Sequence, residues 1–275
     1  MKRLTCMFLP LVAAVSMSAQ VYSWSSGKMD SSRTGCSVPA QNNVTEALGK
    51  FNGKTYVAPN GAVFAPESAT AKVARIVMDA QPKMARVKDI IAFSPKAMYK
   101  AYPESALSNW FIDSFMGEME KLVGKKVHVG IANFGGIRVD MPEGNVILDD
   151  ILSMFPFRNS AIYIEHKGKV IRKILEEMAA GHFQVLGGVK VVAENGRLVS
   201  VEVCGEPLDD DMIYGVVTNS FLLHGGDGMF LASDAVKVVD TGVYVNDVIL
   251  DYIKAETAAG RPLTASTDGR IIIKK

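Results

Sequence analysis

Two stretches of this 275-residue chain carry side chains that could grip a flat, polar ligand. The first is A-N-F-G-G-I-R at 132–138, where an apolar run ends on Asn133 and passes through Gly135 and Gly136 to Arg138. The second is Y-G-V-V-T-N at 214–219, followed past Phe221 by H-G-G-D-G, which holds Gly225, Gly226 and Asp227. Between them lies P-F-R-N at 156–159, with Phe157 and Asn159. Asparagine amides offer a donor and an acceptor to a heterocycle edge. The arginine fork suits phosphate or a ring edge. Asp227 could accept from sugar hydroxyls, and two phenylalanines could sandwich a base, each stack contributing about 1–3 kcal/mol. Taken one at a time, these residues also have plainer readings. The phenylalanines fit a core. The glycine pairs and Asp227 fit turns, and Arg138 could pair with a carboxylate.

A catalytic inventory finds little. The four histidines are His128, His166, His182 and His224, and the nearest two are 16 residues apart. The ligand spacings of a metal cluster are missing, and there is no G-x-S-x-G elbow. Cys204 has no activating partner in its neighbourhood. The histidines are read as surface or strand residues with ordinary hydrogen bonds. No catalytic residue, metal ligand or cofactor is assigned to the chain.

Composition frames what must position these residues. Hydrophobic residues make up 48% and charged residues 21%, the balance of a globular protein. A formal charge of +1 gives no case for nucleic acid or an anionic membrane as partner. Residues 1–19 read as a secretory signal peptide: Lys2 and Arg3, an apolar run from Leu4 to Val15, then Ser16, Ser18 and Ala19. That run is too short to span a bilayer, and no other segment is long and apolar enough. An exported chain, periplasmic or extracellular, is expected. There, Cys36 and Cys204 could pair or stay as remote thiols.

Residues 20–65 are rich in Ser, Gly, Asn and Ala and read as a mobile or loosely packed arm. Within it, G-K-F-N-G-K-T at 49–55 resembles a phosphate loop, but its glycines enclose three residues where a Walker loop needs four. It is read as a solvated turn. The organised domain is placed at 66–275. Helices are expected over 67–86 (with Val73, Ile76, Val77 and Met84 at helical spacing), 104–122 (capped by Ser105 or Ser108), 170–180 (closed by Gly181) and 248–259 (closed by Gly260). Strands are expected over 88–93, 126–132, 162–166, 213–218 and 271–273. A hairpin is expected from Val189 to Val203 through Asn195-Gly196. This mixture indicates an α/β or mixed α+β domain.

Together the motifs resemble the C-terminal domain of the 5′-nucleotidase family, which includes UDP-sugar hydrolases and 2′,3′-cyclic phosphodiesterases. The family shows N-G-G-G-I-R, P-F-G-N and N-F-x-x-x-G-G-D-G in that order. Here the matching stretches are N-F-G-G-I-R, P-F-R-N and N-S-F-L-L-H-G-G-D-G, with E-S-A-L-S-N-W at 104–110 similar to the family's helix entry. The likeness runs over residues 100–260 and implies mixed sheets with flanking helices. It implies that Phe157 and Phe221 sandwich a nucleobase and that Asn133 and Asn159 lie at its edge. It further implies that Arg138 contacts the ribose or phosphate side and that Asp227 holds the ribose hydroxyls.

Two positions depart from the pattern: Pro103, where the family often has arginine, and Arg158, where it has a small residue. Family members normally begin with a metallophosphoesterase domain holding two metals, in whose place this sequence offers a signal and a short arm. The resemblance therefore implies an AMP- or adenosine-binding domain, with divalent metals on a separate metallophosphoesterase chain. The rival readings are a stand-alone nucleoside-binding protein and a degenerate protein-interaction domain.

Overall fold

The computed structural model describes residues 44–274. The signal segment, Cys36 with its pairing to Cys204, and the first part of the arm lie outside the described residues. The chain divides into two compact units between Met78 and Asp79.

The first unit contains α1 (Val44–Leu48), β1 (Lys50–Asn52), β2 (Thr55–Val57), β3 (Val63–Phe64) and most of α2 (Ala69–Ala80). The strands form an antiparallel sheet in the order β1-β2-β3. G-K-F-N-G-K-T is the first strand of this sheet and its turn. The part of the arm from Lys50 to Phe64 thus has regular structure, in strands of two or three residues. Strands so short show no period in sequence. Ala71 and Ala74 of α2 are buried with Tyr56, and Phe51, Phe64 and Met78 pack around them. The helix expected over 67–86 stops at Ala80 and tightens into a 3₁₀ helix at Gln81–Lys88, with Pro82 at its start. Val73, Ile76 and Met84 are exposed rather than buried. The buried stripe of α2 is made of alanines, Ala71 and Ala74.

The second unit begins with β4 (Ile90–Ser94), α3 (Ala106–Val123), β5 (Val129–Ala132), β6 (Gly144–Ile147) and α4 (Leu148–Met154). It continues with β7 (Ser160–Lys167), α5 (Gly168–Ala180), β8 (Val185–Gly187), β9 (Val189–Glu194), β10 (Arg197–Val203) and β11 (Glu206–Pro207). It closes with β12 (Ile213–Asn219), α6 (Ser220–Leu223), β13 (Lys237–Tyr244), α7 (Val245–Ala258) and β14 (Ile271–Lys274). A five-stranded mixed sheet runs β13-β7-β12-β5-β8, and a four-stranded sheet runs β11-β10-β9-β14. β4 pairs with β6.

Alternation along the central strands explains the layers. Ala161 and Tyr163 of β7 join a core with Leu107, Phe111 and Phe115 of α3 and Ile249 of α7. Ile162 and Ile164, on the opposite face, join Ile171 and Leu175 of α5 with Val191 and Val201 of the second sheet. A sheet buried on both faces reads as unbroken apolar runs, as Ile213–Thr218 does.

Local signals hold where the chemistry is specific. Ser105 caps α3: its hydroxyl accepts from the Ser108 amide at 3.1 Å, and the Ser108 hydroxyl accepts from the Ser105 amide at 2.8 Å. Asn195 and Gly196 turn the β9–β10 hairpin with φ of 49° and 74°. Gly181 does end α5, but with φ −117° and ψ −95°, outside the left-handed region expected of a glycine cap.

Glu104, just before α3, accepts from the Gly269 backbone N–H at 2.8 Å and from the Asn109 side-chain Nδ2 at 2.8 Å. Arg270 is buried beside it. Burial opposes its charge, but hydrogen bonds to Asp113 and Asp268 outweigh that and hold its pKa above the ordinary arginine value. The helix-entry segment therefore ties α3 to the loop before β14.

Candidate functional site

β5 and β12 are parallel neighbours, with Val216 opposite Val129. Their C-terminal ends therefore emerge side by side, where ligand sites gather in such sheets. The two asparagines that end these strands meet: the Asn219 amide nitrogen donates to Asn133 Oδ1 at 3.0 Å, with both residues buried. Asn219 Oδ1 accepts from the Leu222 amide at 3.0 Å and so caps α6. One side chain thus ties the first loop to the second.

The second glycine after Asn133 has its reason in close approach. A Cβ on Gly136 would sit 3.0 Å from Asn133 Oδ1. Gly136 leaves the room in which that amide is held. The second pair differs. Gly225 is left-handed at φ 97°, and Asp227 follows at 52°. A Cβ on Gly226 would lie 2.5 Å from the Phe221 ring, and one on Gly225 would lie 2.7 Å from the Phe230 ring. Two aromatic rings therefore lie against the Gly225-Gly226 backbone.

The predicted residues fall around two openings. Asn133, Gly136, Phe157 and Asn159 line a shallow depression of about 20 Å³, completed by Phe111, Phe155, Asn219 and Val245. Gly135 and Asp227 line a cleft of about 500 Å³ with Phe134, Glu177, His182 and Gln184 among its walls. Arg138 stands between: its guanidinium carbon is 5.8 Å from the Phe157 ring centroid, and Nη1 donates to the Gly135 carbonyl at 3.3 Å. Phe221, Gly225 and Gly226 line neither opening. Phe157 and Phe221 are 45% and 40% exposed, so neither is a core residue. Arg158 turns away to Tyr244, 5.0 Å from its ring.

The surrounding elements fix these positions. The Asn159 carbonyl accepts from the Val245 amide at 3.0 Å, and the Ser220 hydroxyl accepts from the Ser160 amide at 3.0 Å. Gln184 is buried and reaches both loops. Its Nε2 donates to Asp227 at 3.1 Å, and its Oε1 accepts from the Phe134 amide at 3.4 Å. His166, fully buried on β7, bonds through Nε2 to the Leu231 carbonyl at 2.9 Å, while Nδ1 finds no partner among the described residues. Burial lowers its pKa, opposed by the Leu231 backbone bond and by the Asp234 charge. Sequence reasoning missed Gln184, His166 and the side chain of Asn219. Each acts on a residue 43 to 86 positions away or joins elements that far apart, and no local pattern reports that.

Comparison with known proteins gives a consistent picture. The family model described as 5′-nucleotidase, C-terminal domain, matches residues 83–234. An apyrase of Tabanus yao is 30% identical over 193 residues, covering 61% of this chain and 34% of the apyrase. The NAD 5′-nucleotidase of Haemophilus influenzae is 31% identical over 147 residues, covering 46% of this chain and 24% of that protein. Among solved structures, a 5′-nucleotidase precursor from Thermus thermophilus superimposes with a TM-score of 0.64 at 27% identity, over 80% of this chain and 45% of that one. The chain thus spans less than half the length of each of these proteins.

Proposed function

The chain belongs to the 5′-nucleotidase C-terminal domain family, and from that premise we propose that it recognises the nucleoside of an AMP- or adenosine-like nucleotide. A separate metallophosphoesterase supplies the metal centre for phosphate ester hydrolysis. The observation that carries this reading is the convergence of Asn133, Asn159, Asn219 and Phe157 on one depression at the strand ends, flanked by Arg138.

The base stacks on the exposed face of Phe157, opposite Arg138, with Phe221 as the second plate. The asparagine amides meet the base edge, Asp227 takes the ribose hydroxyls, and Arg138 faces the phosphate side. Among the described residues, no group of three or more His, Cys, Asp or Glu side chains is arranged to hold a metal ion. These residues do not fit a dimetal centre, so their part is to bind and orient. An exported compartment is part of the proposal, supported by the basic and apolar pattern of residues 1–19. Among the described residues no helix is long and apolar enough to cross a membrane.

Calorimetry of the mature chain with adenosine and AMP, without metal, tests the reading. Micromolar to low-millimolar affinity is expected, weakened about tenfold or more in Phe221→Ala by loss of a stacking plate. No heat at saturating ligand overturns nucleoside recognition by the lone chain and favours a protein-interaction role. The partner is tested by a co-purified metallophosphoesterase. Neither binding nor a gain in nucleotidase activity on mixing removes that part of the proposal.

A further inference from the structure

The cleft on the Gly135 side has a lopsided hydrogen-bonding chemistry that the nucleoside reading leaves unused. Its volume is about 500 Å³, within the range of small-molecule sites. Glu177 and Asp227 stand in its walls, and their carboxylates, when ionised, only accept hydrogen bonds. Glu177 is exposed, and its carboxylate has no hydrogen-bond or ion-pair partner among the described residues. Asp227 takes a donor from Gln184 Nε2 at 3.1 Å.

The donors of the walls, by contrast, are spent within the protein. Gln184 Nε2 goes to Asp227, and the Phe134 backbone N–H goes to Gln184 Oε1. The backbone N–H groups of Gly181, Gly228 and Met229 donate to the carbonyls of Glu177, Gly225 and Gly226 at 3.1, 3.1 and 2.9 Å. Among the described residues, no lysine or arginine lines the cleft. The amine of Lys100, which reaches the first loop, is held by the carbonyls of Ile137 at 2.7 Å and Phe134 at 3.4 Å.

The rest of the lining is aromatic and soft. His182 stacks on Tyr102 with centroids 4.0 Å apart, and Phe134 stands edge-on to His182 at 6.4 Å. Met178 and Met229 add polarisable thioethers. An ammonium group complements such walls. It carries three donors and no acceptor. Its charge answers the carboxylates and the aromatic faces, while an aliphatic stem packs on the rings and thioethers. Phosphate is repelled by the same carboxylates. A hydroxyl also brings lone pairs, which the spent donors cannot meet.

We infer that the cleft is a binding site for a small aliphatic amine in its ammonium form. Glu177 is the principal carboxylate and Asp227 the second, and the His182 and Phe134 rings receive the stem. The site goes beyond the nucleoside reading and does not depend on it, since that reading uses Asp227 but neither Glu177 nor His182.

Calorimetry of the full chain with cadaverine tests it, at about 0.15 M salt, where exposed charges more than about 8 Å apart are screened. Low-millimolar or tighter binding is expected. The neutral isostere 1,5-pentanediol is expected to bind at least about tenfold more weakly. Glu177→Gln keeps the shape and removes the charge, and is expected to weaken cadaverine about fivefold or more. His182→Ala is expected to weaken it about threefold. Both positions are exposed, so the fold is not at stake. Glu176→Gln removes the same charge from an exposed neighbour outside the cleft and is expected to leave affinity unchanged. No heat from cadaverine at saturation overturns the site, as does equal binding of the diol. Affinity that survives either Glu177→Gln or His182→Ala overturns it too. So does an equal loss in Glu176→Gln, which would mark diffuse surface charge. Adenosine run on the same preparation keeps the two readings apart. Adenosine bound with cadaverine silent overturns the amine site alone. Cadaverine bound with adenosine silent upholds the amine site and breaks the nucleoside reading.

Discussion

The two halves of the site are held in different ways. The strand-end half, Asn133 with Asn219, grows from the centre of the main sheet. Its strands are flanked on both sides, and its amides are buried and bonded to each other. The loop half, residues 224–231, leaves the sheet and turns through left-handed residues Gly225, Asp227 and Gly228. Phe221, Asp227 and Phe230 are exposed around it. Side chains from elsewhere tie it down at Gln184–Asp227 and His166–Leu231. Under the proposed function, the polar pair that would meet a base edge is built where the backbone ladder fixes it, and the groups that would contact the ribose are carried on a loop fastened by a few bonds.

Substitutions can break this contrast. The largest effect is expected at Asn219→Ala, which removes the cap of α6 and leaves Asn133 Oδ1 buried without its donor. A loss of about 2–4 kcal/mol in urea unfolding is expected, about 1 from the cap and 1–3 from the orphaned acceptor. A loss under 1 kcal/mol would show that the strand ends are not the rigid half.

Next comes pH. His166 is neutral when folded because burial lowers its pKa, whereas in the unfolded chain it titrates near 6.5. Its contribution is therefore fully present above pH about 6.5 and is lost as pH falls below that value toward the folded pKa, at up to about 1.4 kcal/mol per pH unit. In His166→Leu this acid limb should be shallower in urea melts run across that range. An identical slope in both proteins would remove His166 as a titrating tie.

The smallest effect is expected at Gln184→Ala. Loss of two hydrogen bonds, one long at 3.4 Å and one to the exposed Asp227, lowers stability by about 1–2 kcal/mol. Adenosine affinity should fall severalfold through Asp227, and unchanged affinity would show that the loop needs no fastening from the segment ahead of β8.

Much of this arrangement is legible in the chain. The capping serines of α3, the Asn-Gly hairpin and the apolar runs of β5, β7 and β12 act locally, so composition reports them. The two Asn-to-Gly-Gly motifs announce themselves as strand ends. What could not be read is how the strands lie together. Only the parallel pairing of β5 with β12 turns two similar motifs into one bonded pair. The α2 stripe misleads because Ala71 and Ala74 carry little hydrophobic signal, yet they are the residues buried against Tyr56. Gly136 looks like a turn residue in sequence. Its use is the space it leaves for Asn133, which depends on a side chain three positions back and its partner across the sheet.

The central claim is that a nucleobase rests against the strand-end half while its ribose is met by the loop half. A crystal structure of the chain with adenosine tests this directly. The account predicts the base stacked on Phe157 with its edge toward Asn133 and Asn159, and ribose hydroxyls on Asp227. Adenosine bound elsewhere, or a crystal soaked to saturation with the depression empty of it, would contradict the account.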